Sequence, residues 1–236
     1  MATIAGELIV ADDAAGLARK AAAFIAGRIA AAGNVFRIAL SGGSTPVAVY
    51  RLLGADKAIN WNCTEIFFGD ERFVPPDSKD SNYRMVRETL LAGDHVHPRG
   101  LYPVPTDGTP DSAAQRYAEI LSQQYGASAL MPERPLFDLM LLGLGDDGHT
   151  ASLLPGQPVL QDRRRWVAPV PSGRDEPRIS LTYPAIESSR AIVFLVSGAG
   201  KAQALARARK GELPAGGIIP QGELFWFVDS AAAGGQ

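Results

Sequence analysis

The stretch VFRIALSGGSTP, residues 35–46, bears most directly on the fold of this chain. Residues 35–40 form a short apolar run that predicts a β-strand, and this run leads straight into the polar loop Ser41-Gly42-Gly43-Ser44-Thr45. Proline suits the first turn of a helix, so a helix is predicted from Pro46 to Leu53. A strand, a glycine-containing loop and a helix in succession are the building unit of a parallel α/β sheet.

The rest of the chain repeats this alternation of apolar strands and helices. Further strands are predicted at Glu65–Phe68, Phe137–Leu142, Trp166–Val170, Arg178–Thr182, Ala191–Val196 and Leu224–Val228, and helices at Asp12–Gly33, Ser81–Leu91, Ser112–Tyr125 and just before Arg209. The segment Gly69-Asp70-Glu71-Arg72 is predicted to be a loop that follows a strand, and Gly93–Pro110 an irregular connection. The pattern indicates an α/β fold with a largely parallel sheet flanked by helices. In such folds ligands bind beyond the carboxyl ends of the strands.

Composition and charge narrow the class of protein. The chain has 236 residues, of which 46% are hydrophobic and 20% charged, and no low-complexity linker divides it, so a single domain spanning residues 1–236 is predicted. Lysine and arginine number 23 against 25 aspartates and glutamates, giving a formal net charge of −2. No run of five or more basic residues is present, so no nucleic-acid partner is predicted.

Two further features concern location and redox chemistry. The most apolar early stretch, residues 21–32, is interrupted by Arg28 and preceded by Asp12 and Asp13, which argues against a signal peptide and against a membrane span. A cytoplasmic protein without a membrane partner is therefore expected. Cys63 is the single cysteine, which excludes an intramolecular disulfide and a paired-cysteine metal site.

The loop at residues 41–45 has the chemistry of an anion site. Glycine lets backbone N–H groups approach a ligand closely, Ser44 and Thr45 add hydroxyl donors, and the following helix directs the positive end of its dipole at the loop. The alternative is a tight turn with a Ser or Thr cap. Pro46 occupies the position of the last glycine of a GxSxG motif, so Ser44 is not an obvious hydrolase nucleophile, and the loop lacks the Gly-Lys-Ser/Thr ending of a nucleotide P-loop.

The loop Gly143-Leu144-Gly145-Asp146-Asp147-Gly148 matches GxGxxG after a predicted strand. A dinucleotide site is nevertheless disfavoured, because two carboxylates would lie beside a pyrophosphate and Pro155 leaves little room for the helix that should follow. The loop instead places Asp147 two residues before His149, a carboxylate near an imidazole that can accept a proton. The alternative is that Asp147 only forms a turn and His149 only begins a helix.

Several other polar residues are candidates for a site. Asp94, His95 and His97 could hold a metal, but Pro98 follows and no further well-spaced ligand is evident, so a solvated loop is favoured. Three cations stand at a strand edge or a strand-to-helix turn, where they could clamp a phosphate: Arg72, Arg178 and Lys201. Each of them alone would be an ordinary solvated charge.

Five segments together resemble the 6-phosphogluconolactonases: LSGGSTP from Leu40, GDERFVP from Gly69 with DSKDSNYRM after it, LLGLGDDGHTASLLPG from Leu141, RISLTYP from Arg178, and LVSGAGKAQA from Leu195. The resemblance spans nearly the whole chain, with the segments in the family's order. The resemblance implies a modified Rossmann-like fold and hydrolysis of 6-phosphoglucono-1,5-lactone, a step of the oxidative pentose phosphate route, without a metal or organic cofactor.

The resemblance also implies residue roles. His149 would be the general base, and Asp147 would orient the imidazole or tune its charge. The substrate-binding positions it implies are Gly42, Gly43, Ser44, Thr45, Asp70, Arg72, Arg178 and Lys201, with Arg72 serving either the phosphate or a developing oxyanion. The implied partner is a small phosphosugar lactone, and a monomer or weak homodimer is expected.

Two alternative functions compete with this one. Glucosamine-6-phosphate deaminases share the SGGST loop and the Asp-Gly-His sequence, but they carry a glutamate five positions after the histidine, where this chain has Leu154, and a tyrosine where this chain has Arg72. A non-catalytic sugar-phosphate sensor is the second alternative. It is disfavoured because no helix-turn-helix or basic recognition helix is visible.

Overall fold

The computed structural model describes residues 6–234, which form ten strands and six α-helices. The strands are β1 (Glu7–Ala11), β2 (Phe36–Leu40), β3 (Thr64–Phe68), β4 (Asp70–Arg72), β5 (Gly100–Leu101), β6 (Leu139–Gly143), β7 (Val167–Val170), β8 (Arg178–Leu181), β9 (Ala191–Val196) and β10 (Glu223–Asp229). The helices are α1 (Ala14–Ala30), α2 (Ser44–Ala55), α3 (Asn82–Thr89), α4 (Pro110–Tyr125), α5 (Tyr183–Glu187) and α6 (Ala202–Ala208). Short 3₁₀ turns lie at Trp61–Cys63, Pro158–Gln161, Ala199–Lys201 and Pro214–Gly217.

Seven strands form one sheet in the order β1-β10-β9-β6-β2-β3-β5, and every neighbouring pair in it is parallel. Strands β6 and β9, at the centre of the sheet, are continuous apolar runs, as expected for strands covered on both faces, and all six residues of β9 are buried. The predicted α/β fold with a largely parallel sheet flanked by helices is therefore confirmed. Strand β9 has the bounds that were predicted for it.

Strands β2 and β6 are neighbours in the sheet, and later strands are added on opposite sides of this pair. From β2 the chain continues outward to β3 and β5, whereas from β6 it continues to β9 and β10 on the other side. The loops that leave β2 and β6 therefore diverge and open a crevice at the carboxyl ends of the strands. These two loops are the ones singled out by their glycines, residues 41–45 and 143–149.

A second sheet of three antiparallel strands, β4-β8-β7, lies beside the first. The prediction that residues 69–72 are a loop is wrong for Asp70–Arg72, which pair with β8. The predicted strands at Trp166–Val170 and Arg178–Thr182 exist as β7 and β8, but they do not belong to the parallel sheet. A short polar strand has no hydrophobic periodicity to reveal it, and its pairing partner lies about a hundred residues further along the chain.

The N-terminal part shows one strand that was not predicted. Residues 7–11 form edge strand β1, paired in parallel with β10 and largely exposed. Helix α1 begins at Ala14, because Asp13 is its N-cap and accepts a hydrogen bond from the N–H of Gly16 at 2.6 Å. Over residues 6–234, the helices are all too short or too polar to cross a bilayer.

Candidate active site

A polar cavity of about 220 Å³ opens at the carboxyl ends of β2, β6 and β9, where the sheet changes direction. This volume is about seven times the ~30 Å³ share of one liquid water, so the cavity has room for a single small molecule. Nine of the ten predicted site residues line it: Gly42, Gly43, Ser44, Thr45, Asp70, Arg72, His149, Arg178 and Lys201. The tenth, Asp147, contacts His149 without lining the cavity itself.

The glycine-rich side of the cavity is the start of helix α2. Gly43 is the N-cap with a φ of 105°, a backbone conformation that favours glycine, and no side chain caps this helix end. The N–H groups of Gly43, Ser44 and Thr45 have no acceptor within the helix, and Pro46 has no N–H group at all. These three donors and the helix dipole are therefore available to an anion.

Asn82 is a cavity residue that the sequence analysis did not identify. Its side chain is buried, and its Nδ2 donates to the backbone oxygen of Asp70 at 2.9 Å, while its Oδ1 is buried without a hydrogen-bond partner. A Cβ atom on Gly42 would lie 2.0 Å from that Oδ1. Asn82 is held from behind by the buried Glu71, which accepts from its backbone N–H at 2.7 Å. Residue 42 therefore has to be glycine for the loop to lie against Asn82.

Two of the cavity's cations face each other across the antiparallel pair of β4 and β8. Arg72 and Arg178 are directly opposite in register, and the Nε atom of each is buried without a partner among the described residues. Burial lowers the pKa of the Arg178 guanidinium; the charge of Asp70 raises it in part, and the charge of Arg72 has a smaller lowering effect. Like charges placed directly opposite destabilise a sheet. A bound anion would offset this repulsion and would satisfy the unpartnered donors.

Lys201 and Asp70 complete the charged lining. Lys201 forms an ion pair with Asp146, with Nζ to Oδ1 at 2.5 Å, and the Asp146 side chain is 79% exposed at the rim. Asp70 is buried and accepts a hydrogen bond from the Ser152 hydroxyl at 2.6 Å. The cavity lining thus holds three cations, Lys201 and the two arginines, against the single carboxylate of Asp70. Its charge suits a negatively charged ligand.

His149 is held by the turn that precedes it. The loop is closed by hydrogen bonds from Gly145 N–H to His149 O at 2.8 Å and from Gly148 N–H to Gly145 O at 2.9 Å. Oδ1 of Asp147 accepts from the backbone N–H of His149 at 3.1 Å and lies 2.5 Å from its Nδ1. Asp147 is therefore both a turn residue and the partner of the imidazole, and no helix begins at His149, so the alternative is wrong on that point.

The carboxylate partner determines which ring nitrogen is free. An ionised carboxylate only accepts hydrogen bonds, so Nδ1 of His149 carries the proton in the neutral ring and Nε2 is the unprotonated nitrogen. Partial burial would raise the pKa of Asp147, but hydrogen bonds from Arg174 and His149 outweigh this and hold it well below its usual range. The carboxylate is therefore ionised throughout the neutral pH range.

Arg174 is the second residue that the sequence analysis missed. Its Nη2 donates to Oδ2 of Asp147 at 2.6 Å, so the carboxylate is shared between a guanidinium and an imidazole. Arg174 lies in the loop between β7 and β8, and no local motif marks it. Gly145 leaves the room that this arrangement requires, since a Cβ there would lie 2.0 Å from Nδ1 of His149.

The segment after His149 contains a strained backbone position. Ala151 has a φ of 46° and is the one non-glycine residue with a positive φ between residues 6 and 234. It lines the cavity. Thr150 next to it donates its hydroxyl to the backbone oxygen of Gly143 at 2.8 Å, which ties the segment to the end of β6. Backbone strain of this kind is found at binding and catalytic sites, where the surrounding contacts maintain it.

The other sequence candidates lie outside this cavity. His97 is exposed, and His95 is partly buried in the same loop with an unpartnered Nε2. No cluster of three or more His, Cys, Asp or Glu side chains suited to a metal ion occurs within residues 6–234. Cys63 is a free, partly buried thiol whose Sγ contacts the backbone oxygen of Asn60 at 3.1 Å.

The fold and the cavity together define a class: α/β proteins that bind a small anionic ligand at the point where a parallel sheet changes direction. The family described as glucosamine-6-phosphate isomerases/6-phosphogluconolactonase has a model that matches residues 12–226. The chain belongs to this family. The resemblance seen in the sequence motifs is therefore confirmed.

Individual relatives agree with this placement. The chain is 41% identical over 203 residues to a 6-phosphogluconolactonase of Nostoc sp., covering 84% of this chain and 83% of the relative. It is 42% identical over 201 residues to a 6-phosphogluconolactonase of Synechocystis sp., covering 83% and 82%. The structure of a 6-phosphogluconolactonase from Trypanosoma cruzi superposes with a TM-score of 0.86 at 26% identity, covering 99% of this chain and 97% of that one. A monomeric glucosamine-6-phosphate deaminase shares the fold, with a TM-score of 0.78 at 19% identity over 98% of this chain and 100% of that one.

Proposed function

We propose that this protein hydrolyses 6-phosphoglucono-1,5-lactone to 6-phosphogluconate. The observation that carries the proposal is the shared cavity: His149 and the uncapped helix start at residues 43–45 line the same cavity of about 220 Å³. The names of the relatives from Nostoc sp. and Synechocystis sp. support the same substrate.

The phosphate end of the substrate is assigned to the glycine-rich side. The N–H groups of Gly43, Ser44 and Thr45 would donate to phosphate oxygens, and Lys201 would add a point charge. Arg178, whose buried Nε has no hydrogen-bond partner among the described residues, has the fork geometry that matches anionic oxygens. Arg72 beside it is assigned to the substrate's anionic oxygens as well, either those of the phosphate or the one that develops at the carbonyl.

The carbonyl end is assigned to His149. Its Nε2 takes a proton from water as the water oxygen forms a bond to the lactone carbonyl carbon, which produces a tetrahedral oxyanion. The oxyanion then collapses, the bond between the carbonyl carbon and the ring oxygen breaks, and the imidazolium returns its proton to that oxygen. The ring opens to a hydroxy acid, which ionises to the carboxylate and releases one proton to solvent. Asp147 orients the ring and stabilises the imidazolium that forms between the two steps.

Deamination of glucosamine 6-phosphate is the main competing reaction. An amino-sugar isomerisation needs a base at the carbon beside the carbonyl in addition to an acid. The position that carries a glutamate in the deaminases is Leu154 here, and this side chain is buried in the core. The site therefore lacks the carboxylate that the deaminases carry at this position, whereas ester hydrolysis requires only one acid–base group.

The direct test offers both substrates to the purified protein. We expect hydrolysis of 6-phosphogluconolactone well above the spontaneous rate, which must be subtracted because the lactone also opens in buffer. We expect no ammonia release from glucosamine 6-phosphate. Ammonia release without lactone hydrolysis would assign the protein to the deaminase branch. Tight binding of 6-phosphogluconate with no turnover of either substrate would identify a sensor.

A further inference from the structure

Arg174 makes a set of contacts that the proposed mechanism does not use. Its Nη2 donates to Oδ2 of Asp147 at 2.6 Å and lies 3.1 Å from Nδ1 of His149. The same guanidinium donates through Nη1 to the backbone oxygen of Gly173 at 2.8 Å. The Arg174 side chain thus contacts both the Asp147 carboxylate and Nδ1 of His149, the ring nitrogen that lies next to that carboxylate.

The loop that carries Arg174 is anchored beside the site. The Ser172 hydroxyl donates to Oε1 of Gln157 at 2.9 Å, and Gly173 has a φ of 93°. A Cβ at Gly173 would lie 3.0 Å from Nε2 of Gln157, so the backbone of the loop passes close over this side chain. The side chain of Arg174 is 34% exposed. The guanidinium is therefore positioned by its own loop and not only by the ion pair.

The charges around His149 make this contact significant. A carboxylate next to an imidazole favours the imidazolium, and an imidazolium cannot accept a proton from water. Arg174 places a positive charge on the other oxygen of the same carboxylate and offsets this effect. The remaining charged groups that face the cavity are Asp70, Arg72, Arg178 and Lys201, with Asp146 paired to Lys201 at the rim.

We propose that Arg174 is a positioning residue that fixes Asp147 against His149 and, through its charge, offsets the tendency of that carboxylate to favour the imidazolium. Asp147 would then hold the ring in the tautomer with a free Nε2, and Arg174 would prevent the same carboxylate from trapping the ring as imidazolium. The kinetic consequence rests on the proposed lactone hydrolysis. The effect of Arg174 on the protonation of the His149 imidazole does not rest on that proposal, and it can be measured in the absence of any substrate.

The test compares Arg174→Gln and Arg174→Lys with a control, Arg116→Gln. Arg116 also pairs with an aspartate, with Nη1 2.8 Å from Oδ2 of Asp107, but it does not line the cavity. In Arg174→Gln the acidic limb of the kcat/KM profile should move upward by roughly 0.5 to 1 on the pH scale, because a partly exposed charge is removed from the site. Arg174→Lys should restore most of the wild-type profile, and Arg116→Gln should match wild type.

A second readout is the ¹⁵N resonances of the imidazoles. The chain has 3 histidines, so the signals of His149 can be assigned with a His149→Gln variant. The titration midpoint of His149 should move upward in Arg174→Gln, in step with the kinetic limb. An equal fall of kcat/KM at all pH values with an unmoved His149 titration would overturn the proposal. If the wild type shows no lactonase activity, the proposed function fails and the resonances alone decide the role of Arg174.

Discussion

The two ends of the cavity are built in different ways. The glycine-rich end consists of consecutive backbone groups, residues 43–45, whose geometry follows from the start of helix α2. The imidazole end consists of side chains from two separate loops, since Asp147 and His149 come from one loop and Arg174 from another. The first end is local in sequence, whereas the second depends on contacts between distant segments.

This difference predicts how each end fails. The glycine-rich end acts through backbone N–H groups, so it has no side chain to delete, and it is impaired by added volume that displaces those N–H groups. The imidazole end acts through side chains, so it tolerates changes nearby, and it is impaired when one donor or acceptor is removed. Substitutions at the two ends should therefore separate binding from turnover.

The largest effect is expected from removing the ring at the side-chain end. His149→Gln should reduce kcat by about 10²- to 10⁴-fold, the range that general acid–base groups contribute. Binding of the product 6-phosphogluconate should remain near wild type, because the proposed phosphate contacts are on the glycine-rich side of the cavity. Steady-state kinetics and calorimetric titration with the product measure the two quantities.

The matched control is His97→Gln, a histidine on an exposed loop outside the cavity. It should leave both quantities unchanged. An undiminished kcat in His149→Gln would remove the imidazole from the mechanism. A loss of product binding as large as the loss of kcat would show that the two ends do not act separately.

Added volume at the backbone end should have the next largest effect. In Gly42→Ala the new Cβ would lie 2.0 Å from Oδ1 of Asn82, whose Nδ2 is bonded to the backbone of Asp70. Relieving this overlap requires the loop or Asn82 to shift, at a cost of about 1–3 kcal/mol. We expect KM to rise about 5- to 150-fold if that energy is lost from the bound state. The product dissociation constant should rise in parallel.

Two controls isolate the overlap as the cause. Gly200→Ala adds the same methyl group close to the cavity, where nothing lies within 4 Å of the new Cβ, and should leave KM near wild type. The double variant Gly42→Ala, Asn82→Ala removes the atoms that are struck. If the overlap is responsible, Gly42→Ala should raise KM less in that background than in wild type. An equal rise in both backgrounds would contradict the explanation.

The same division between local and long-range contacts explains which parts of the fold could be predicted. The parallel sheet follows from apolar runs such as β9, whose six residues are all buried and whose bounds match the prediction. Strand β4 was predicted as part of a loop, because Asp70–Arg72 are polar and their pairing with β8 is visible only in three dimensions. Strand β1 was missed because an exposed edge strand carries little of the burial pattern on which the prediction relies.

The site divides in the same way. Residues 42–45 could be identified from the sequence because glycines, hydroxyls and a proline at a helix start form a contiguous signal. Asn82 and Arg174 gave no such signal. Asn82 enters the cavity through its packing under Gly42, and Arg174 through an ion pair with a residue 27 positions away. Asn82 lies within the segment DSKDSNYRM, but that segment does not reveal that its side chain packs under Gly42, and no motif marks Arg174.

The smallest expected effect concerns the ion pair between Lys201 and Asp146 at the rim of the cavity. Lys201 is paired with Asp146 at 2.5 Å, and a substrate phosphate would compete with this carboxylate for the ammonium group. An exposed ion pair contributes about 0.2–1 kcal/mol, which corresponds to at most about fivefold in affinity. Asp146→Asn should therefore lower KM and the dissociation constant of inorganic phosphate by about two- to fivefold, with kcat unchanged.

The ion pair can be separated from a general loss of negative charge by a double-mutant cycle. Lys201→Ala alone should raise KM, because one cation is removed from the phosphate end. If Asp146 acts by occupying Lys201, Asp146→Asn should have no effect on phosphate binding in the Lys201→Ala background. An equal gain in affinity with and without Lys201 would mean that the carboxylate acts through the field of the whole cavity. The charge at the rim would then act on the glycine-rich end and the imidazole end alike, and the separation between these two ends would not extend to the rim.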